Sequence, residues 1–353
     1  MENFYACIMA GGSGERFWPL SRKTTPKHLL RLFSERTLLE QAVDRVGGLI
    51  PKEKILILTN TVQLEKTREL LKDFPQENIF AEPEKRDTAP AAALAAGWIL
   101  RRSVDAEMAL LPADALIKDI QTFQKQLADA SSLAREQEAL VTFSIRPTYP
   151  ATGFGYLELG EVIGKGKHGS KRFKVKQFFE KPSEETARRY LESGNYGWNA
   201  GMFVWTVKDF LREAERAEPS LANFARNLAS AKDMDSYVKE NFSAMPKISI
   251  DYALMEKARK VEAIQAEFDW DDVGSWTALP AHLGKDAHGN TLKGSTVLQN
   301  AQDNIVLSEG RLVALCGVSD LIVVETKDAV LVCRKDAAQK VKTLQELLPP
   351  EVV

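Results

Sequence analysis

The chain reads as an α/β protein with a mixed, mostly parallel sheet covered by helices on both faces, followed by a small β-rich unit. Three observations predict this. Apolar runs of one strand's length alternate with segments of helical spacing; strands become more widely spaced after about residue 139; and from about residue 285 short β segments recur at regular intervals.

Residues 3–9 are a nearly continuous apolar run that stops at a glycine loop, as a parallel strand buried on both faces would; 54–59 and 107–111 are similar. Between them Leu38, Leu39, Ala42, Val43 and Val46 repeat at i, i+3, i+4, as do Leu64, Thr67, Leu70 and Leu71. The Ala-rich stretch 88–102, with Pro90 in its first turn, suits a buried helix capped by Asp87 or Thr88. Strands are expected at 139–145, 154–159, 172–179 and 199–206, with helices near 183–192 and 207–230. These would continue the sheet and carry an inserted lid or substrate-binding region. The last part opens at Gly289-Asn290-Thr291 and gives segments 295–299, 304–308, 311–316, 321–325 and 329–333, separated by Asn, Asp, Gly or Ser. Such spacing predicts a small β-solenoid or β-roll, closed by a helix at 336–348.

Lys and Arg number 47 against 49 Asp and Glu, a formal charge of -2, which removes the electrostatic case for a general nucleic-acid or polyanionic-membrane surface. Basic groups must act locally. Cys7, Cys316 and Cys333 are odd in number and lie far apart, and the four His are scattered, so neither a disulfide scaffold nor a zinc site is implied. The start lacks a basic leader, and no stretch reaches the roughly 20 apolar residues of a spanning helix. A soluble, cytoplasmic protein is expected.

After the first strand comes Ala10-Gly11-Gly12-Ser13-Gly14-Glu15-Arg16-Phe17-Trp18-Pro19-Leu20, with Pro26-Lys27 a few residues on. Three glycines in four positions let backbone N–H groups face a phosphate, and Arg16 and Lys27 would add full charges. A tight strand-to-helix turn fits the glycines equally well. It is not a Walker loop, because Gly-Lys-Ser/Thr is missing, and Phe17 stands where a dinucleotide fingerprint needs its third glycine.

The string from Ile8 to Arg22 followed by Pro26-Lys27 resembles the signature of sugar-1-phosphate nucleotidylyltransferases, and Trp18-Pro19-Leu20-Ser21-Arg22 resembles the mannose-1-phosphate guanylyltransferase branch. Five further blocks extend the resemblance over nearly the whole chain. It implies a Rossmann-like, GT-A-like nucleotidyltransferase domain over residues 1–285 and a short, left-handed β-helix-like domain over 286–353.

The resemblance also implies site roles. Ala10, Gly11, Gly12, Gly14, Arg16 and Lys27 would bind the nucleotide, with Glu82, Arg86, Asp87 and Thr88 around the base; many relatives have Asn in place of Asp87, which leaves open which side chains read it. Asp114 lies at the carboxyl end of a buried strand, where ligands gather in open α/β sheets, and is followed by Ala115 where relatives usually have His. Asp114 and Asp272, the latter from Asp272-Val273-Gly274-Ser275-Trp276, would hold Mg²⁺. Glu180 and Lys181 of Phe178-Phe179-Glu180-Lys181-Pro182, Asn199 of Trp198-Asn199-Ala200-Gly201, and Gly155 of Thr152-Gly153-Phe154-Gly155-Tyr156 would bind the sugar phosphate. Taken alone, Phe178, Phe179, Trp198, Phe203 and Trp205 read as core.

The expected reaction transfers GMP from GTP to α-D-mannose 1-phosphate, with Arg16, Lys27, Asp114 and Lys181 as the catalytic set. No nucleophile pair or general base is needed, because a sugar phosphate oxygen is already anionic. Guanylyltransferases for heptose or fucose 1-phosphate, a catalytically silent regulatory homologue and a nucleotide-sugar glycosyltransferase remain the alternatives. The resemblance further implies a homodimer formed through the C-terminal domain. Larger relatives carry a fused isomerase rich in clustered His; without such a cluster here, a single activity is expected.

Overall fold

The computed structural model describes residues 3–352. Chain order begins β1 (Phe4–Met9), α1 (Leu38–Gly47), β2 (Ile55–Asn60), α2 (Leu64–Leu70), β3 (Ile79–Glu82), α3 (Thr88–Leu100), β4 (Glu107–Pro112), α4 (Ile120–Gln137) and β5 (Leu140–Ile145). It continues with β6 (Gly155–Lys165), β7 (Lys171–Glu180), α5 (Glu184–Ser193), β8 (Tyr196–Thr206), α6 (Val207–Ala217), α7 (Pro219–Ser230), α8 (Met234–Asn241) and β9 (Val261–Gln265).

These strands make one nine-stranded mixed sheet in the order β3-β2-β1-β4-β8-β5-β9-β7-β6. The half β3-β2-β1-β4 is parallel throughout, whereas β8 runs antiparallel between β4 and β5. Alternation along β1 explains why its whole run is apolar: Tyr5 and Cys7 join the core beneath α3, α6 and α7, and Phe4, Ala6 and Ile8 join the core beneath α1 and α4. In α1 the expected spacing is completed by a capping box, in which Thr37 and Glu40 each accept from the other's backbone N–H. In α3 the small residues permit close packing: a Cβ on Gly97 would sit 2.8 Å from the Ala225 oxygen of α7.

The structure differs from expectation in several elements. The stretch 207–230 is two helices, because Pro219 starts α7 and forces Glu218 out of helical geometry (φ -155°, ψ 82°). β3, α4, α8 and β9 escaped the sequence reading, although α4 buries Phe123, Leu127, Ala130 and Ala134 at helical spacing. Phe178, Trp198, Phe203 and Trp205 are buried, as their size suggested.

The C-terminal part holds β10 (Thr291–Lys293), β11 (Thr296–Gln299), β12 (Ile305–Ser308), β13 (Val313–Cys316), β14 (Leu321–Glu325) and β15 (Val330–Arg334). β10, β12 and β14 stack in parallel, as do β11 and β13, and β15 closes the stack antiparallel. Successive turns of chain therefore lie over one another. Buried asparagines hold one corner: the Asn290 side-chain oxygen accepts from both nitrogens of Asn304, at 2.9 and 3.1 Å, and the Asn304 side-chain oxygen accepts from the Leu321 N–H at 3.0 Å. In place of one helix at 336–348, short helical turns run Lys335–Lys340, Val341–Leu344 and Gln345–Leu347.

A third core joins this domain to the first: Phe17, Trp18, Leu38, Trp276 and Leu279 pack with Ile305, Ile322, Val324 and Val341. The Trp18 indole N–H donates to the Val352 carbonyl at 2.7 Å. No helix among the described residues is long and apolar enough to cross a membrane.

Asn304→Ala strips hydrogen bonds from the Leu321 N–H and the Val318 carbonyl inside the stack. It is expected to cost about 2–3 kcal/mol, read from denaturant midpoints. A loss below about 0.5 kcal/mol would show that the corner does not hold the turns together.

Candidate active site

The glycine loop leaves the carboxyl end of β1, and Asp114 follows β4, so both lie at the end of the sheet where open α/β folds collect ligands. Only some of the glycines are sterically required. Gly14 has φ +61°, and a Cβ there would meet the Lys27 backbone nitrogen at 2.4 Å, so no other residue fits; Gly12 faces open space. The turn Glu15–Phe17 follows, with Phe17 buried against Trp276 (ring centroids 4.9 Å apart) and Arg16 exposed.

Lys27 is the hub. It is 7 % exposed. Its ammonium lies 2.7 Å from an Asp114 carboxylate oxygen and donates to the carbonyls of Asp272 (2.5 Å) and Val273 (3.2 Å). A two-way backbone bridge between Leu116 and Asp271 (2.8 and 3.0 Å) ties the same two segments. Buried Arg45 steadies the first by donating to the Ala115 carbonyl at 3.3 Å. In the second, Val273 is held at φ +48°, a costly conformation for a β-branched residue. Its N–H is fixed by the Asp271 carboxylate (2.7 Å), which also meets the His282 ring at 2.7 Å. Asp269 accepts from the N–H groups of Lys118 and Asp119. Asp269 and Asp271 are thus committed to the backbone and His282, which leaves Asp272 as the carboxylate that faces the cavity.

The electrostatics follow from this crowding. Burial pushes Asp272 up to about 6; Lys27 opposes the rise, and Asp271 and Asp114 add to it. For Asp114, desolvation also acts upward, but the Lys27 charge and hydrogen bond, with His28, hold it below the usual carboxylate range. Burial brings the His28 imidazole down to about 4, so it stays neutral beside them.

A second group faces the same cavity of about 430 Å³. The Asn199 side-chain N–H donates to an Asp251 carboxylate oxygen at 2.7 Å. A Cβ on Gly155 would fall 2.5 Å from a Glu180 oxygen, so that glycine makes room for the carboxylate. Burial pushes Asp251 up to about 6, Glu180 adds to this, and the Asn199 hydrogen bond opposes it. Phe154 and Trp270, in contact with each other at 5.5 Å, complete the wall.

Of the residues singled out in the sequence, Gly14, Arg16, Lys27, Asp114, Gly155, Glu180, Asn199 and Asp272 line this one cavity. Lys181 does not: its side chain is 67 % exposed, with the ammonium 3.4 Å from Glu180. Ala10, Gly11, Gly12, Glu82, Arg86, Asp87 and Thr88 also stand outside its lining; Gly11 lies against Glu82, whose buried Oε1 has no hydrogen-bond partner. Burial, with Asp87 adding, pushes Glu82 up to about 8. Arg86 is engaged with the Met245 carbonyl and Glu84; Asp87, at φ +69°, caps α3; and the Thr88 hydroxyl accepts from the Ile250 N–H. Two cavity residues escaped the sequence reading. Asp251 sits as a lone Asp in an apolar segment, and Lys342 arrives from the C-terminal domain; neither carries a motif spacing. Among the described residues no three His, Cys, Asp or Glu side chains are grouped to hold a metal ion.

Two family models match: nucleotidyl transferase over residues 5–287 and the MannoseP isomerase/GMP-like beta-helix domain over residues 294–348. An Escherichia coli mannose-1-phosphate guanylyltransferase is 38% identical over 348 residues, covering 97% of this chain and 73% of that protein. One from Salmonella montevideo is 39% identical, covering 98% and 74%. The solved structure of a Thermus thermophilus protein described as a mannose-1-phosphate geranyltransferase superposes with a TM-score of 0.87 at 34% identity, covering 98% of this chain and 99% of that one.

Lys27→Met leaves Asp114 and two loop carbonyls without their shared cation. A stability loss of about 2–3 kcal/mol is expected, smaller than for a wholly buried pair because Asp114 is partly open to the cavity. Unfolding midpoints matching the wild type would remove Lys27 from the role of hub.

Proposed function

The chain belongs to the nucleotidyl transferase family, and from that premise we propose that it transfers GMP from GTP to α-D-mannose 1-phosphate, releasing pyrophosphate and GDP-mannose. The observation that carries this reading is that one cavity holds two unlike groups. Arg16 and Lys27 with Asp114 and Asp272 suit phosphates and a cation, while Glu180, Asn199 and Asp251 suit sugar hydroxyls.

Among the described residues the cavity lining includes no His or Cys, which fits a reaction whose nucleophile is a substrate phosphate oxygen. The chain's task is then alignment and charge neutralisation. Arg16 makes no side-chain hydrogen bond or ion pair among the described residues and is free to fork onto phosphate oxygens. Lys27 is too firmly held to travel; it fixes the loop and sets the charge of Asp114. Asp114 and Asp272 offer hard oxygen donors; burial first, and then the charges of Asp271 and Asp114, raise the pKa of Asp272, and a bound cation would favour its ionised form. They would hold Mg²⁺, which when bound neutralises phosphate oxygens and orients the triphosphate.

For the base we favour Glu82. Its orphaned buried oxygen needs a donor, guanine presents N1–H and N2–H, and meeting them would favour the ionised carboxylate. Arg86, Asp87 and Thr88 are engaged elsewhere. Lys181 is assigned to the sugar phosphate as a rim residue that swings from Glu180. We place the protein in the cytoplasm, in keeping with three free cysteines, and assign a homodimer to the C-terminal domain, where Val297, Leu312, Val330, Val332 and Leu347 are exposed. Light scattering over a range of concentrations tests the dimer.

Purified protein with Mg²⁺, four NTPs and several hexose 1-phosphates, coupled to pyrophosphatase, is expected to release phosphate fastest with GTP and mannose 1-phosphate. A faster rate with heptose or fucose 1-phosphate would reassign the sugar, and GTP binding without turnover on any of them would make the chain a silent homologue.

Asp114→Ala and Asp272→Ala are expected to lower kcat at least about 100-fold while leaving a folded protein. A wild-type rate in either variant removes that residue from the metal role.

A further inference from the structure

Among the described residues, Lys342 is the one residue of the C-terminal domain that lines the cavity. Its ammonium lies 3.2 Å from a carboxylate oxygen of Glu15, inside the glycine loop. The neighbouring contacts fix both ends of this pair. Val341 and Phe17, each adjacent to or near one partner, are buried in the same core, and the Gln345 side-chain N–H donates to the Glu15 carbonyl. The Lys342 side chain itself is 57 % exposed, so its position is set by the backbone while its ammonium can move.

Glu15 is an oddity in a phosphate loop, since its carboxylate faces the space a polyanion must enter. A like charge there repels the ligand unless a cation offsets it. Lys342 is that cation. It also has the reach of a flexible four-carbon stem and the indifference to geometry of a point charge.

The direction of the reaction says which phosphates it meets. A sugar phosphate oxygen bonds to the α-phosphorus, the bond from that phosphorus to the bridging oxygen breaks, and the electron pair leaves with pyrophosphate, opposite the nucleophile. Glu180, Asn199 and Asp251 mark the sugar's side. Besides that shared cavity, Lys342 borders a second recess with Ser13, Arg22 and Gln345, which contains none of those three.

From this we infer that Lys342 is a phosphate-binding residue supplied by the C-terminal domain, which exchanges Glu15 for the β- and γ-phosphates and takes the charge of the departing pyrophosphate. This rests on the nucleotidyl-transfer reading above and adds a residue and a role to it.

The test is calorimetric titration of the full-length protein with inorganic pyrophosphate and Mg²⁺, alongside KM for GTP and for the sugar phosphate. Lys342→Ala is expected to weaken pyrophosphate binding and raise the GTP KM about tenfold, with the sugar-phosphate KM unchanged. Lys342→Arg should restore most of the loss, and Glu15→Gln should tighten pyrophosphate binding by freeing the ammonium. Unchanged pyrophosphate affinity in Lys342→Ala would overturn the inference. So would a Glu15→Gln variant that weakens binding as much as Lys342→Ala, with no further loss in the double variant, because Lys342 would then only prop the loop. Wild-type pyrophosphate binding without GTP turnover would instead sink the transfer reading and leave the phosphate site standing.

Discussion

A single buried ammonium, that of Lys27, organises the cleft. Three segments far apart in sequence converge on it: its own turn after Pro26, the end of β4 through Asp114, and the loop carrying Asp272 and Val273. A buried charge is tolerated only when paired and hydrogen-bonded, so the three segments cannot drift independently without exposing or orphaning it. The remaining features serve the same convergence. Gly14 lacks a Cβ because Lys27 fills that space, Val273 is kept at positive φ, and Arg45, Asp269 and Asp271 tie down the backbone on either side.

The C-terminal domain is part of this arrangement. Its stacked turns place Ile305, Ile322 and Val324 against Phe17, Trp18 and Trp276, so the loop that carries Arg16 is packed from behind by a domain folded on a different principle. The parallel turns bury their own asparagine corner, and the closing segment then runs back along the loop from Val341 to Val352. The C-terminal domain thus braces the glycine loop and brings Lys342 within 3.2 Å of Glu15 on it.

Charge is distributed within the cleft in a way that the net charge of -2 conceals. Acidic groups outnumber basic ones in the lining, and the cost is visible in Asp272 and Asp251, both raised to about 6 by burial and by neighbouring charges. Such crowding of carboxylates suits a site that meets cations and hydroxyls as well as phosphates.

Much of this was legible in the sequence because it depends on short-range pattern. Continuous apolar runs marked β1, β2 and β4 as buried strands, the spacing in Leu38–Val46 marked a helix, and the recurring Asn, Asp and Gly of the last part marked stacked short strands. Motif residues named Gly14, Arg16, Lys27, Asp114, Gly155, Glu180, Asn199 and Asp272, which the fold brings to one cavity, but also Ala10, Gly11, Gly12, Lys181 and the Glu82–Thr88 group, which it leaves outside the lining. What the sequence could not settle were matters of partner choice. The motif Asp272-Val273-Gly274-Ser275-Trp276 picked Asp272 from its neighbours, but only the structure gives the physical reason: Asp269 and Asp271 are bound to backbone N–H groups and His282, which leaves the third facing the cavity. Likewise nothing in a one-dimensional string distinguishes Lys342 from other surface lysines, or Asp251 from a solvated Asp. Their place in the cleft arises from long-range packing, of the closing segment on Phe17 and of the helical turn Asp251–Met255 on Asn199, and contacts between residues so far apart leave no local periodicity to read.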